Sequence, residues 1–410
     1  MSDPGPLPIP PSKVPDARAL EALKGARRLR FGVVGLGTMG RTHAQLLRRR
    51  GPHLALSAVT SGSASKRAIA EELGCRWFDS ASEMFASGEV DAVVIATPHP
   101  SHAQLAIDAL RTPLHVICEK PLTATISQAD AVLEAGQQSP KLLTVVSQTR
   151  FEPAYQFIRT LLDSGEFGPI RRCETHETFW RPSAYFRSSG WRGTWQGEGG
   201  GVLINQAIHL LDRYLWLCGR PESVTSFCDT LLHPIEVEDT ASALFRHGDG
   251  AHGIVHVSTA EAPAVCGTVI TCDRGEIVFD SGAVRVTRLV GSVAHRTATD
   301  PPDSRGIDHE TTAHRGPWLH WSNELLGRFY DQFALAAAHS SEVPVPIEDA
   351  RAAVELANAI LLSSAEGLVV NLPLDRSAYD RFLAGHIAAA GEPARRLHEE
   401  PQAPTAQLQP

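Results

Sequence analysis

From Leu29 onward, short apolar runs alternate with amphipathic stretches of helical period. Leu29 to Val34 has the composition of a buried strand, and Arg41 to Arg49 behind it is helical in period. The alternation continues with strands expected at Leu54 to Val59, Arg76 to Phe78, Val90 to Ala96, Leu114 to Cys118 and Leu142 to Ser147. Helices fall between them at Ala64 to Leu73, from Ser80, at His102 to Leu110 and at Ser127 to Ala135. Ser80 with Glu83 three residues on fits a capping box. Val90 to Ala96 is nearly all apolar, as a strand covered on both faces must be. This repeat predicts an α/β doubly wound parallel sheet over residues 29–150.

Beyond Gln148 the pattern changes. An amphipathic helix at Pro153 to Leu162 precedes β-rich runs at Ile170 to Phe179, Ser223 to Leu231, Thr240 to Arg246, Gly253 to Thr259, Thr268 to Cys272, Glu276 to Phe279 and Val284 to Leu289. They predict an α+β second domain over residues 151–390, built on a mainly antiparallel sheet. Within it, Val202 to Cys218 is expected as a helix, Asp300 to Pro317 as a long loop, and Glu324 to Ala338 and Ile347 to Leu362 as closing helices. Residues 1–28 form a Pro-rich arm with a short helical piece at Ala17 to Leu23, and residues 391–410 form a Pro-rich tail.

Composition narrows the function. A chain of 410 residues exceeds what one core usually fills. Its net charge of -8 argues against a general nucleic-acid or anionic-membrane binder, either of which wants a basic face. There is no signal-peptide pattern and no apolar run of about 18 residues, so a cytoplasmic protein without a membrane span is expected. The seven cysteines include no C-x-x-C pair and are expected to be reduced, buried thiols; no metal site is expected.

The chemistry begins where the first strand runs into Gly35-Leu36-Gly37-Thr38-Met39-Gly40. Gly35 permits a tight reversal, Gly37 leaves room for a pyrophosphate against the backbone, and Gly40 lets the helix close on the strand with its free N–H groups facing the anion. Strand and helix flank the turn, which is the context a dinucleotide site requires. Past the second strand the chain has Thr60-Ser61-Gly62-Ser63, then Lys66 and Arg67, where NAD-preferring sites place a carboxylate for the ribose 2'-hydroxyl. With hydroxyls and cations there, NADP is favoured over NAD. Thr97 and Pro98 end the fourth strand at the ligand-binding edge, and His102 either caps the following helix or touches the cofactor.

Glu119-Lys120-Pro121 ends the fifth strand, putting Lys120 beside the expected nicotinamide, where it can take part in moving a hydroxyl proton. Gly199-Gly200-Gly201 opens the later helix, on which Asn205, His209 and Asp212 would share one face at i, i+4 and i+7. Three polar groups on an apolar helix are costly to bury without partners. Trp191 and Arg192 are placed near the nicotinamide end, and Arg181, Tyr185 and Arg187 in a loop suited to selecting substrate.

These motifs, with Ala96-Thr97-Pro98, Gln148, Arg150-Phe151 and Pro153-Ala154-Tyr155, resemble the glucose-fructose oxidoreductase, inositol dehydrogenase and rhizopine-catabolism (Gfo/Idh/MocA) family over residues 29–375. The resemblance implies an NAD(P)-dependent sugar or cyclitol oxidoreductase with a Rossmann domain, an open-faced sheet that packs in homodimers or homotetramers, and Lys120 and His209 as the catalytic pair. Many members carry Asp at the position of Asn205 and Gly at that of Ala207. Asn cannot ionise, so it is expected to bind a substrate hydroxyl while His209 becomes the better general acid/base, with Lys120 positioning or relaying the proton. Two other readings stand beside this one: a tightly held nucleotide used for transient oxidation in elimination or glycoside cleavage, and a non-catalytic NADP(H) sensor.

Overall fold

The computed structural model describes residues 20–390 apart from 22, 24, 281 and 317–322. The tail from 391 and most of the N-terminal arm, including much of the helix expected at Ala17 to Leu23, lie outside the described residues.

Six strands form the first sheet: β1 (Leu29–Val34), β2 (Leu54–Thr60), β3 (Arg76–Phe78), β4 (Ala92–Ile95), β5 (His115–Cys118) and β6 (Leu143–Val145). All neighbours are parallel, in the order β3-β2-β1-β4-β5-β6. The order reverses between β1 and β4, opening a crevice beyond their carboxyl ends. Helices cover both faces, and Ser80 caps its helix, its side chain accepting from the Glu83 N–H. One face is completed from far along the chain. Helix Asn323–His339 packs against β1, with Phe31 edge-on to Tyr330 at 5.7 Å.

The second sheet has nine strands in the order β14-β13-β12-β11-β7-β10-β9-β8-β15. Its members are β7 (Ile170–Thr178), β8 (Ser223–Asp229), β9 (Thr240–Arg246), β10 (His252–Ser258), β11 (Val265–Cys272), β12 (Gly275–Phe279), β13 (Val284–Leu289), β14 (His309–His314) and β15 (Val370–Asn371). Every pair is antiparallel except β7 with β10. One face buries Ala241, Ala243, Phe245, Val255 and Val257 in the core shared with helices Ile208–Cys218 and Ile347–Glu366. Tyr214 comes so near β10 that a Cβ at Gly253 would lie 1.9 Å from its hydroxyl, so only glycine fits there. The opposite face leaves Phe227 and Leu244 exposed.

Four sequence expectations are corrected. Helix Val202 to Cys218 begins only at Ile208, because the N–H groups of Gly201 and Leu203 donate to the Glu238 carboxylate and that of Val202 to its carbonyl, while Ala207 N–H reaches back to Val202. The loop expected at Asp300 to Pro317 contains β14, an edge strand laddered to β13 whose polar residues give no alternating signal. A further helix, Arg376–Ala389, follows β15. Finally, Cys173 and Cys218 form a disulfide, since helix Ile208–Cys218 lies over β7 with the two Cα atoms 6.6 Å apart. Cys75, Cys118, Cys228, Cys266 and Cys272 take part in no disulfide; Cys118 and Cys272 are buried, as expected, while the other three are half-buried.

Candidate active site

The glycine turn sits at the crevice. Gly35 N–H donates to Thr60 carbonyl and Ala96 N–H to Val34 carbonyl, locking the ends of β1, β2 and β4 together. A Cβ at Gly35 would approach the Ala96 carbonyl to 2.5 Å, and one at Gly40 would lie 1.9 Å from the Gly35 carbonyl. At Gly37 a Cβ would meet nothing within 4 Å. That is a cradle open above the backbone at the N-terminus of helix Thr38–Arg49, where the orphan amides and the dipole favour an anion. Met39 is partly exposed beside it. Ser61 follows β2, Lys66 ends a short 3-10 turn at Ala64–Lys66, and Arg67 is exposed. Gln148, in the 3-10 turn after β6, is buried with an Oε1 that has no hydrogen-bond partner among the described residues. An orphaned buried acceptor and an open glycine cradle both fit a nicotinamide dinucleotide.

His102 is engaged within the chain. Its ring nitrogens lie 2.8 Å from the carbonyls of Thr97 and Pro121, tying the β4 loop to the turn that carries Lys120. Thr97 Oγ1 accepts from Ser101, and Glu119 is buried with one oxygen on His43 and the other accepting from the Lys120 N–H. Burial would raise the Glu119 carboxyl, but the hydrogen bond and charge of His43 and the nearby Lys120 outweigh it and hold the group below the usual carboxylate range.

The chain brings Lys120 and the turn after the glycine triplet together. Lys120 Nζ donates to the Asn205 carbonyl at 2.7 Å and lies 3.4 Å from Asn205 Oδ1. Burial lowers the Lys120 ammonium from its usual range; Glu119 and Glu198 oppose that, while Arg192 and Arg181 add to it. His209 is buried on the helix just beyond and, with Lys120, Ser147 and Asp212, lines a small cavity. Burial, then the positive charges of Lys120 and Arg213, push His209 well below the usual histidine range, so it is neutral at pH 7.

Asp212, which lines the same cavity as Lys120 and His209, is engaged within the chain. Its oxygens accept from Arg150 Nε at 2.7 Å, Arg150 Nη2 at 2.6 Å and Ser147 Oγ at 2.5 Å, so it anchors the β6 turn from beneath. Asn205 lies in the turn before the helix and so does not share a helical face with His209 and Asp212. Tyr185 accepts from Gln206 Nε2 at 3.2 Å, and its ring carries the Arg192 guanidinium at 4.2 Å and that of Arg181 at 5.2 Å. Trp191 stands edge-on to His99 at 5.0 Å. Arg181 Nε and Arg192 Nη1 are buried atoms with no hydrogen-bond partner among the described residues.

Two residues at this centre escaped the sequence reading. Glu198 is buried, binds the Asn205 amide and is pushed up to about 7 by burial. His99 is buried with Nδ1 3.1 Å from the Glu198 carbonyl. Glu198 does have a positional cue, as the residue directly before the glycine triplet. Its burial depends on the fold. Among the described residues no group of three or more His, Cys, Asp or Glu is arranged to hold a metal ion, and no helix is long and apolar enough to cross a membrane.

Comparison with known proteins agrees with this geometry. Residues 29–147 match the oxidoreductase family with an NAD-binding Rossmann fold, and residues 155–278 match the GFO/IDH/MocA C-terminal domain. Inositol 2-dehydrogenase of Mycolicibacterium smegmatis is 36% identical over 34% of this chain and 41% of its own length. That of Rubrobacter xylanophilus is 33% identical over 47% and 52%. The chain thus spans about half the length of these relatives or less. The WlbA dehydrogenase from Bordetella pertussis, solved with NADH and UDP-GlcNAcA, is 28% identical, with a TM-score of 0.71 over 85% of this chain and all of that one. The paired domains, the glycine turn against β4 and the match over both halves place this chain in the GFO/IDH/MocA oxidoreductase family.

Proposed function

We propose that the protein is an NAD(P)-dependent dehydrogenase or reductase acting on a CH–OH or ketone carbon of a sugar, cyclitol or sugar derivative. The observation that carries this reading is the meeting of Lys120 Nζ with Asn205 at the carboxyl edge of a sheet whose glycine turn is open at Gly37. The bound nicotinamide would supply hydride acceptance and donation. The chain's own residues would then manage the hydroxyl proton and hold the sugar.

Lys120, with its ammonium lowered by burial, is suited to take that proton during alcohol oxidation and return it during reduction. His209, neutral in its buried position, is suited to hydrogen-bond the same oxygen, so the stronger base role moves from His209 to Lys120. Asn205 and Tyr185 would hold neighbouring hydroxyls, and Arg181 would favour a substrate with an acidic group. Trp191 and Arg192 would border the nicotinamide, with Gln148 Oε1 accepting from its carboxamide. No carboxylate stands at Ser61-Gly62-Ser63, and Lys66 and Arg67 follow, which supports NADP over NAD. The exposed apolar positions of the open sheet face support assembly into a homodimer or homotetramer.

Fluorescence titration of the purified protein with NADPH and NADH tests the reading, followed by release of any retained nucleotide on denaturation and a sugar and cyclitol screen. Exchangeable binding with NADPH preferred, and turnover that forms reduced nucleotide, are expected. Nucleotide released only on denaturation would favour an internal redox cycle, and no binding of either nucleotide would overturn the assignment.

A further inference from the structure

Glu198 ends the short helix Trp195–Glu198 and is almost wholly buried. Its two oxygens have separate partners: Oε2 accepts from Gly193 N–H at 2.7 Å, and Oε1 accepts from the side-chain amide nitrogen of Asn205. The other pole of that amide, Oδ1, lies 3.4 Å from Lys120 Nζ. An amide offers a donor at one end and an acceptor at the other and does not ionise. Set between an ammonium and a carboxylate, it lets each charge polarise the bond that serves the other.

We propose that Glu198 is a positioning residue for the reaction, its carboxylate acting through the Asn205 amide to hold Lys120 and to set how readily Lys120 releases its proton. Its meaning for turnover rests on the dehydrogenase reading above; the ammonium–amide–carboxylate chain does not. The other charged groups around it are few. Glu119 supports the Lys120 ammonium, Arg192 and Arg181 oppose it, and His99, His102 and His209 are neighbours whose own protonation its charge disfavours. Around Glu198, Arg192 favours the carboxylate and Glu238 disfavours it. Behind them, Glu236 accepts from Trp195 N–H at 3.1 Å, and His386 of helix Arg376–Ala389 stacks on the Trp195 ring at 4.5 Å. Of these groups, Glu198 alone is bridged to Lys120 by a neutral side chain.

The sequence offers a direct test, because it contains only five lysines, Lys13, Lys24, Lys66, Lys120 and Lys141. The full chain, free of nucleotide and substrate, is prepared with lysine carrying carbon-13 at its ε position, and the Lys120 signal is assigned as the one lost in Lys120→Arg. Its titration midpoint is then followed by NMR in the wild type, Glu198→Gln and Glu198→Asp. Removing the negative charge should lower the midpoint by about one pH unit, a roughly tenfold easier loss of the proton, and Glu198→Asp should restore most of it. A Lys120 midpoint unchanged in folded Glu198→Gln overturns the proposal. If that variant does not fold, Asn205→Ala, which cuts the bridge and leaves Glu198 in place, gives the same reading: a lowered midpoint supports the proposal and an unmoved one overturns it. The measurement needs neither cofactor nor turnover, so it stands apart from the nucleotide titration.

Discussion

Glu119 Oε1 lies 2.8 Å from His43 Nε2, and the Tyr330 hydroxyl closes on the other ring nitrogen at 2.7 Å, all three side chains being buried. His43 comes from helix Thr38–Arg49, Glu119 directly follows β5 and Tyr330 comes from helix Asn323–His339. The carboxylate that fixes the Lys120 backbone is therefore held by the two elements that enclose β1.

His43→Ala leaves Glu119 buried without that partner and should cost about 3 kcal/mol of unfolding free energy, whereas Tyr330→Phe should cost about 1 kcal/mol. Urea denaturation of the single variants and of His43→Ala combined with Glu119→Gln checks this. The double variant should recover part of the loss, because no buried charge is left unpartnered. Strictly additive losses would show that the two side chains are not coupled.

The glycine turn separates folding from binding at two positions. Gly40→Ala drives a Cβ into the Gly35 carbonyl and should lower stability outright. Gly37→Ala meets nothing in the protein, so its melting temperature should stay near the wild-type value. The new methyl would nonetheless stand where a pyrophosphate touches the backbone, and affinity for NADPH and NADH should fall by about tenfold or more, a loss of roughly 1.4 kcal/mol. Equal affinity in Gly37→Ala and the wild type would place the phosphates elsewhere.

Much of this was legible in the sequence, for identifiable reasons. The parallel sheet showed itself because strands covered on both faces are continuous apolar runs, as Ala92–Ile95 is. Lys120 and the glycine turn were legible because they end strands that the pattern had already placed. Residues whose role depends on long-range contact were not. The backbone of Gly201, Val202 and Leu203 turns aside for Glu238, more than thirty residues onward, so apolar composition alone extended the helix too far. Asp212 stands out because an unpartnered acid on an apolar face is costly, but its partner Arg150 lies 62 residues away and no local pattern shows the pairing. The polar strand His309–His314 is held by its ladder to β13, which leaves no hydrophobic period to detect.

Lys120→Ala and His209→Ala should both retain nucleotide binding. Each should lose turnover by about a hundred- to ten-thousand-fold, as expected when a group that handles the proton is removed. Because burial lowers the Lys120 ammonium, alcohol oxidation should rise with pH to a plateau whose midpoint lies below the ordinary lysine value of 10.5. Lys120→Arg should abolish that limb, since a guanidinium does not deprotonate in this range. A wild-type profile that keeps the same limb in Lys120→Arg would assign the base elsewhere.

The open face of the second sheet sets up a prediction about assembly. Phe227 is 75% exposed on β8 and Leu244 is 59% exposed on the adjacent β9. The register pairs Thr225 with Leu244 and Phe227 with Ser242, so the two apolar side chains are diagonal neighbours on one face. Analytical ultracentrifugation of the wild type should give a dimer or tetramer. Phe227→Asp combined with Leu244→Asp should shift it toward monomer while leaving the circular dichroism spectrum unchanged. An oligomer indifferent to both charges would use another surface.

Acid should act on stability through two opposed sets of buried groups. His99, His102 and His209 are lowered, chiefly by burial, so the folded protein binds fewer protons than the unfolded chain below about pH 6.5, and their contribution to stability is lost as pH falls through that value. Glu198 and Glu238 are pushed up to about 7, again chiefly by burial, from the ordinary value of 4.5. Between those two values the folded protein binds more protons at the glutamates than the unfolded chain does, so their contribution strengthens as pH falls. The two trends oppose one another from pH 6.5 to 5. Glu238→Gln removes one member of the second set without touching the histidines. On acidification from pH 6.5 to 5 it should therefore lose more unfolding free energy than the wild type, by about 1.4 kcal/mol per pH unit at most. Urea denaturation of both proteins at the two pH values measures the difference, and equal losses would show that Glu238 is ionised throughout.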